Sequence, residues 1–458
     1  MSDFRETLYT IDKRGHRKWV YPMFAPGAFY RYRSIVIYAL VALLLVMPWI
    51  PVGNTQAIWL DIPHRRFIIL GRTFWATDTR FLFLIFAAAG VSLFFFTSLL
   101  GRVWCGWACP QTVFLEFVYR PLERLIEGDH AERRRLDSAP WNREKIIKKG
   151  AKFIVFTFLS WFLASTLLAY FIGRGPLLSM MGGLPTDHMS TFVVTCLLMV
   201  LFLFEFGWFR EQFCTVLCPY ARFQSVLMDK DSVLVGYDKS RGEPRGKGTN
   251  TGDCIDCGLC VRVCPTGIDI RNGTQLECVQ CASCIDACNS IMTKIGKPTG
   301  LVRYDTERGL LEGARRFLRP RVVVYGVLLS IIIAAFTTLL VTRKDGEFLV
   351  IRQNKAEPFI TLPDGRIANQ FKVHIGNKSE EPRKYTISLV REDPVTLLTP
   401  LSPYPLEPGH TAMMPLFIQF NLETFTGNSV LIELRDEKDV IGRQEVPLLK
   451  PGSSPKAH

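Results

Sequence analysis

No glycine-rich strand–helix turn of the kind that cradles a nucleotide or a flavin stands out in the 458 residues, so no such cofactor is expected. The first 34 residues are too polar for a signal peptide and lack a small-residue cleavage pattern, which keeps the N-terminus in the cytoplasm. Acidic residues are in deficit, 42 Asp and Glu against 55 Lys and Arg, for a net charge of +13. A basic excess can signal nucleic acid, but here the basic residues crowd next to long apolar runs. That pattern belongs to membrane proteins, and no nucleic-acid partner is expected. Isolated cysteines are almost absent: of thirteen, only Cys196 stands alone, and it reads as a packed residue within an apolar run. The chain is too long for a secreted disulfide scaffold, so the twelve grouped cysteines point to metal or cluster ligation.

Five apolar stretches are long enough to cross a bilayer: Ile35 to about Val52, Phe81 to Leu100, Ala151 to Ile172, Thr191 to Phe209, and Val322 to Val341. The first ends at Pro48-Trp49-Ile50-Pro51, a helix stop with an interfacial Trp. Seven Lys and Arg precede the first stretch and ten lie between Gly101 and Gly150, against four from Val52 to Arg80 and only Arg174 from Gly173 to Ser190. The positive side is expected to be cytoplasmic, which puts residues 210–320 in the cytoplasm and the C-terminal tail across the membrane.

The chain therefore divides into a leader (1–34), a four-span membrane domain (35–237), a cysteine-rich cytoplasmic domain (238–320), a fifth span (321–342) and a tail (343–458). The tail contains no cysteine and alternates with a period of two: Phe371, Val373, Ile375; Tyr385, Ile387, Leu389; Val430, Ile432, Leu434. Short alternating runs separated by turns predict a β-sandwich, suited to binding or docking. The stretch Asp238 to Asp253, rich in Gly and charge, reads as a flexible linker.

The sharpest motif is Cys254-x2-Cys257-x2-Cys260-x3-Cys264-Pro265, followed by Cys278-x2-Cys281-x2-Cys284-x3-Cys288. In this pattern three closely spaced thiolates wrap three corners of a [4Fe–4S] cube, and the fourth ligand comes from the other motif. Cys254, Cys257, Cys260 and Cys288 are thus expected to hold one cluster, and Cys264, Cys278, Cys281 and Cys284 a second. Zinc sites pair two Cys-x2-Cys units across a longer spacer and fit less well. Asp253, Asp256, Asp269 and Asp286 lie nearby and are expected to add a negative field.

Two further pairs, Cys105-x3-Cys109-Pro110 and Cys214-x3-Cys218-Pro219, each follow a span, and each is followed by a Phe, Phe114 and Phe223. The two segments read as an internal repeat that gathers four thiols near a pseudo-twofold axis. A Pro in the first helical turn would place these thiols at helix N-termini, where thiolate is favoured. Soft thiolates suit Cu(I), zinc or an iron–sulfur cluster, and these alternatives stay open on the residues alone. Trp104 and Trp107 read as interface anchors. Met180, Met181, His188 and Met189 form a Met-rich interfacial loop, and His64 carries no signal.

The order of spans, the two Cys-x3-Cys-Pro pairs, the eight-cysteine segment and the strand-rich tail together resemble the CcoG/FixG/RdxA family of membrane ferredoxin-like accessory proteins of cbb3-type cytochrome c oxidase. The resemblance implies a multi-domain protein of the bacterial inner membrane: an α-helical transmembrane bundle with an inserted 2[4Fe–4S] ferredoxin-like domain and a periplasmic immunoglobulin-like β-sandwich. It implies reduction of Cu(II) to Cu(I) for oxidase assembly, a cupric reductase-like oxidoreductase with copper as substrate. Cys105, Cys109, Cys214 and Cys218 would be the copper site. Copper chaperones or oxidase assembly factors would be the partners, beside membrane lipid, an electron donor of unknown kind and, as an open option, a second copy of the chain. Two other readings stand beside it: a quinol- or flavin-linked relay to a respiratory enzyme, and a non-catalytic scaffold with structural clusters.

Overall fold

A computed structural model of the chain describes residues 17–52, 55–63, 66–75, 79–248, 250–275, 277–342, 346–352, 359–379, 381–391, 393–437 and 439–450. His64 and the first sixteen residues of the leader lie outside them. Five helices are long and apolar enough to cross a membrane: Ala28–Trp49, Arg80–Leu100, Arg143–Ile172, Met189–Phe209 and Pro320–Val341. The first begins seven residues before the apolar run expected from Ile35, because polar contacts rather than lipid hold its start. Asp286 accepts hydrogen bonds from the backbone N–H groups of Phe29 (3.1 Å) and Tyr30 (2.8 Å), capping the helix from another part of the chain. Arg33, almost fully buried, donates twice to the Gly106 carbonyl (3.1 and 2.9 Å). The third span likewise starts ahead of its apolar run, with the Asn142 side chain accepting from the N–H of Lys145.

The chain separates into two compact units, residues 1–61 with 82–335 and residues 62–81 with 336–458. In the first, the cysteine-rich segment folds around an antiparallel pair, Val233–Tyr237 with Val302–Thr306, and the helix Ser283–Lys294. Val235, Ile285, Met292, Leu301 and Val302 form its buried core. The ferredoxin-like fold thus begins at the strand Val233–Tyr237, ahead of position 238, since that strand supplies half of the sheet.

The stretch after Asp238 departs from expectation. It is an ordered clasp, not a flexible linker. Arg241 pairs with Asp253 (2.5 Å), the N–H of Asp253 donates to the Arg241 carbonyl (2.9 Å), and the N–H of Gly246 donates to the Cys254 carbonyl (2.9 Å). Asp238 reaches Arg303 (2.9 Å) and Asp253 also meets Lys297 (3.3 Å), which ties the stretch to the rest of the domain.

In the second unit, Gly346–Arg352, Ile367–Asn377, Thr411–Phe420 and Val395–Leu398 form one antiparallel sheet, with Phe359–Thr361 pairing at the end of Ile367–Asn377. Tyr404–Leu406, Arg383–Leu389, Ser429–Arg435 and Val440–Pro447 form the other. Alternation decides the packing. Phe371, Val373 and Ile375 from one sheet and Val430, Ile432 and Leu434 from the other share a single core with Tyr385.

Candidate functional site

The two cysteine motifs turn in the same way. Asp256 (φ 54°) and Gly258 (φ 64°) in the first, and Gln280 (φ 53°) and Ala282 (φ 62°) in the second, adopt left-handed backbone at matching positions. These residues flank the second cysteine of each motif and curl the loop so that its thiols face inward. The structure places Cys264, Cys278, Cys281 and Cys284 on the wall of one small cavity, with Val235, Ile268 and Ile270. Cys254, Cys257, Cys260 and Cys288 line another of similar size, with Leu259, Ile291 and Met292. Cys260 stands in the wall between them, lining both cavities, and interacts electrostatically with Cys257 and Cys288 on one side and Cys284 on the other. Cys288 reaches that cavity because Ser283–Lys294 carries it one helical turn beyond Cys284.

Burial pushes five of these thiols up: Cys278 and Cys260 to about 12, Cys288 to about 11, and Cys264 and Cys284 in the same direction. As thiolates they need compensating positive charge. Four cysteines around each of two apolar cavities fit a [4Fe–4S] cluster, whose iron supplies that charge. The negative field expected from the neighbouring aspartates is not left free. Asp253 pairs with Arg241 and Lys297, Asp256 and Asp269 with Arg271, and Asp286 caps the first span.

The other four cysteines repeat one local geometry. Cys109 (φ −63°, ψ 125°) and Cys218 (φ −66°, ψ 111°) each occupy the position before a helix that opens with Pro. Each donates its backbone N–H to the carbonyl five residues earlier, Trp104 (2.9 Å) and Phe213 (2.8 Å). The repeat is geometric only, since Phe114 is buried while Phe223 is 67% exposed. Every pair among Cys105, Cys109, Cys214 and Cys218 is close enough to interact electrostatically. Among the described residues no three His, Cys, Asp or Glu side chains converge as a single metal ion of three or more ligands requires.

This four-thiol site lies directly against the Cys278–Cys281 loop. The Arg102 N–H donates to Gln280 Oε1 (2.9 Å), and its guanidinium donates to Gln224 Oε1 (3.0 Å) and the Ala221 carbonyl (2.6 Å). Gln224 also accepts from Cys105 Sγ (3.2 Å). A Cβ on Gly106 would stand 2.6 Å from the Val279 carbonyl oxygen and 2.9 Å from the Cys281 backbone, so the two loops meet only because that residue is glycine. Trp107 is part of the same contact, donating Nε1–H to the Tyr304 hydroxyl (2.9 Å), which donates to the Gln280 carbonyl (2.5 Å). It docks on the ferredoxin strand, not in lipid; Trp104 is 54% exposed.

Three family models match the chain. One described as a 4Fe-4S dicluster domain covers residues 209–307, one described as a 4Fe-4S binding domain covers 79–127, and one described as the IG-like fold at the C-terminus of FixG covers 336–450. The chain is 35% identical over 389 residues to protein RdxA of Cereibacter sphaeroides, spanning 81% of this chain and 82% of that protein. It is 33% identical over 437 residues to the nitrogen fixation protein FixG of Rhizobium meliloti, spanning 84% and 82%. It is 36% identical over 403 residues to RdxB of C. sphaeroides, spanning 83% and 84%. The chain belongs to the FixG/RdxA family. It is an iron–sulfur electron-transfer protein with a ferredoxin segment, apolar spans and an immunoglobulin-like tail.

For this FixG/RdxA protein one electrostatic expectation is corrected. Cys109 does occupy the cap position of a helix, near the N–H groups of Gln111 and Thr112 but with no side-chain capping hydrogen bond, and burial outweighs their influence and pushes its thiol up. Burial also pushes Cys105 up, to about 12, and raises Cys214. The helix termini position these thiols without ionising them; a bound cation has to do that. Cys196 is half-buried on the fourth span. Met181, His188 and Met189 are exposed, and among the described residues no group of metal-ligating side chains forms around His188.

The sequence reading passed over a buried charge network that ties the two Cys-x3-Cys-Pro segments together. Glu123 meets Arg210 (2.7 Å), Arg133 (3.0 Å) and Lys152 (3.2 Å), and Glu211 meets Arg17 and Arg120 (both 3.0 Å). Burial pushes the Glu123 carboxyl up, but Arg210, Lys152 and Arg133 outweigh it and hold it well below the usual range. The available signal was the pair Arg210-Glu211 placed immediately after a span.

Proposed function

We propose that this protein reduces Cu(II) to Cu(I) at Cys105, Cys109, Cys214 and Cys218, in support of cbb3-type cytochrome c oxidase assembly. The observation that carries the reading is the contact of the four-thiol site with the Cys278–Cys281 loop through Arg102 and Gly106. The clusters, when bound by Cys254 to Cys288, supply one-electron storage, which matches a one-electron reduction. The thiols bind the copper. Cu(I) accepts as few as two soft ligands, so a preformed site of three is not needed. Apolar burial of the thiols excludes water and favours the ion of lower charge. The ferredoxin segment sits on the cytoplasmic side of the bacterial inner membrane and the tail on the periplasmic side, where it docks an assembly factor or copper chaperone.

Anaerobically reduced protein is expected to convert Cu(II) to Cu(I), read with a Cu(I)-specific chelator. Replacing all four cysteines by Ser should abolish the reaction while leaving the iron bound by the ferredoxin segment. An unchanged rate would overturn the assignment.

The match of residues 79–127 to a 4Fe-4S binding domain supports a second reading, in which Cys214 and Cys218 complete a further cluster with Cys105 and Cys109. Iron analysis separates the two: about eight Fe per chain for two cubanes against about twelve for three.

A further inference from the structure

A groove of about 390 Å³ lies between the third and fourth spans, at their end nearest the Cys-x3-Cys-Pro segments. Lys149 and Lys152 stand at one side, and Phe153, Phe156, Phe204 and Trp208 supply aromatic walls. Phe153, Phe204 and Trp208 are 62%, 47% and 51% exposed, which leaves the groove open to the membrane. A π-turn, Glu205–Phe209, brings Gly207 and Trp208 into the wall; such turns recur at functional sites.

The charge around the two lysines selects among occupants. Lys149 is paired with Glu127 (3.0 Å) and Asp137 (2.5 Å), and Lys152 with Glu127 (2.7 Å) and Glu123 (3.2 Å). A phosphate head group would find both ammonium charges compensated and three carboxylates behind them. A neutral ring oxygen, by contrast, accepts a hydrogen bond from an ammonium without leaving a buried charge unpaired.

The groove is also connected inward. Phe156 packs edge-on against Tyr119 (ring centroids 4.9 Å apart), Tyr119 stacks on Phe206 (4.6 Å), and Phe206 reaches Phe114 (6.0 Å). Phe114 lies in the helix that Cys109 caps. A contiguous run of aromatic rings therefore leads from the groove wall to the helix that begins at Cys109.

We propose that this groove binds the head ring of a membrane-soluble quinone and is where a quinol delivers electrons to the protein. Oxidation of a quinol to the quinone releases two electrons and two protons. Two one-electron iron–sulfur acceptors, the class that the two cysteine-lined cavities fit, match the electrons in number. The protons leave along the Lys149–Asp137 pair, whose carboxylate is 34% exposed. The inference rests on the electron-transfer function and needs no copper.

Gly207 provides the test. A Cβ there would meet only Leu203 and Phe156, each at 3.9 Å and so in ordinary van der Waals contact, which lets Gly207→Leu add its bulk beside the groove wall. Full-length protein in phospholipid nanodiscs, free of copper, is titrated with decylubiquinone while tryptophan fluorescence is followed. Separately, an azidoquinone is photolysed with the wild-type protein and its adducts are mapped. Saturable quenching is expected, with a midpoint at least about tenfold higher in Gly207→Leu, and adducts are expected within residues 149–156 and 200–208. The visible iron–sulfur absorbance of the variant reports its folding. Equal titrations in both proteins, or quenching that never saturates, would overturn the proposal. If the variant does not fold, the photolabel decides alone, and adducts outside the groove, or phospholipid only within it, refute the site.

Discussion

Replacing Glu123 by Gln removes one negative charge with almost no change in shape, and the structure sets the expected cost. Glu123 is 4% exposed and meets three cations, of which Arg210 and Arg133 are 5% and 4% exposed. Both guanidiniums would stay buried opposite a neutral amide. Breaking one partner out of such a group costs about 3–5 kcal/mol, far above the ~1 kcal/mol of an exposed pair. Arg210 also holds left-handed backbone (φ 52°), a conformation its side-chain bonds to Glu123 help to fix. Guanidinium denaturation of the detergent-solubilised protein, followed by tryptophan fluorescence, should show a loss of about 3 kcal/mol in Glu123→Gln. Adding Arg210→Met should recover at least about 1 kcal/mol, since the orphaned charge goes with it. The pH dependence has a fixed sign. The folded carboxyl titrates below its unfolded value of about 4.3, so its stabilisation is complete above that value and is lost as pH falls through the folded one. The variant should therefore show a shallower acid slope than the parent. Equal stability of variant and parent within about 0.5 kcal/mol, or identical acid slopes, would refute the argument that this network clamps the two segments.

The crossed ligand sets can be separated by single substitutions: Cys264→Ser should disturb the cluster bound with Cys278, Cys281 and Cys284, and Cys288→Ser the one bound with Cys254, Cys257 and Cys260, each leaving the other's EPR signal in place. If both variants lose the same signal, the assignment by cavity fails. Phe371→Ala, at a side chain 1% exposed in the sandwich core, should cost the tail about 3–5 kcal/mol in a thermal melt while leaving the visible iron–sulfur spectrum unchanged. A change in that spectrum would contradict an independent second unit.

The elements legible in the sequence are those whose signal is local. Twenty apolar residues in a row form a span whatever surrounds them, and period-two alternation at Phe371, Val373 and Ile375 buries one face whichever strand pairs with it. The cysteine spacings are legible for the same reason, since a cube's corners set the loop length. What was missed or misread depends on distant partners. The start of the first span is set by Asp286, more than 250 residues away. The Asp238–Asp253 stretch has the composition of a tether, but the fold brings its two ends together, Arg241 onto Asp253 and Asp238 onto Arg303. The helix-terminus argument at Cys109 named a true local effect and omitted burial, which composition does not display and which proved larger.

Gly106 shows how such a distant requirement is nonetheless written in one residue. Between Cys105 and Cys109 it reads as a spacer, and nothing nearby demands glycine, since its backbone is helical. The demand comes from the carbonyl of Val279 and the backbone of Cys281, against which any Cβ would collide. The contact joins the four thiols to the cavity lined by Cys264, Cys278, Cys281 and Cys284, while the clasp around Asp253 adjoins Cys254 of the other. The two cavities are therefore not equivalent. One faces the membrane-side thiols through a glycine-sized gap and the other is set against the Arg241–Asp253 clasp, an asymmetry that gives an electron carrier a near end and a far end.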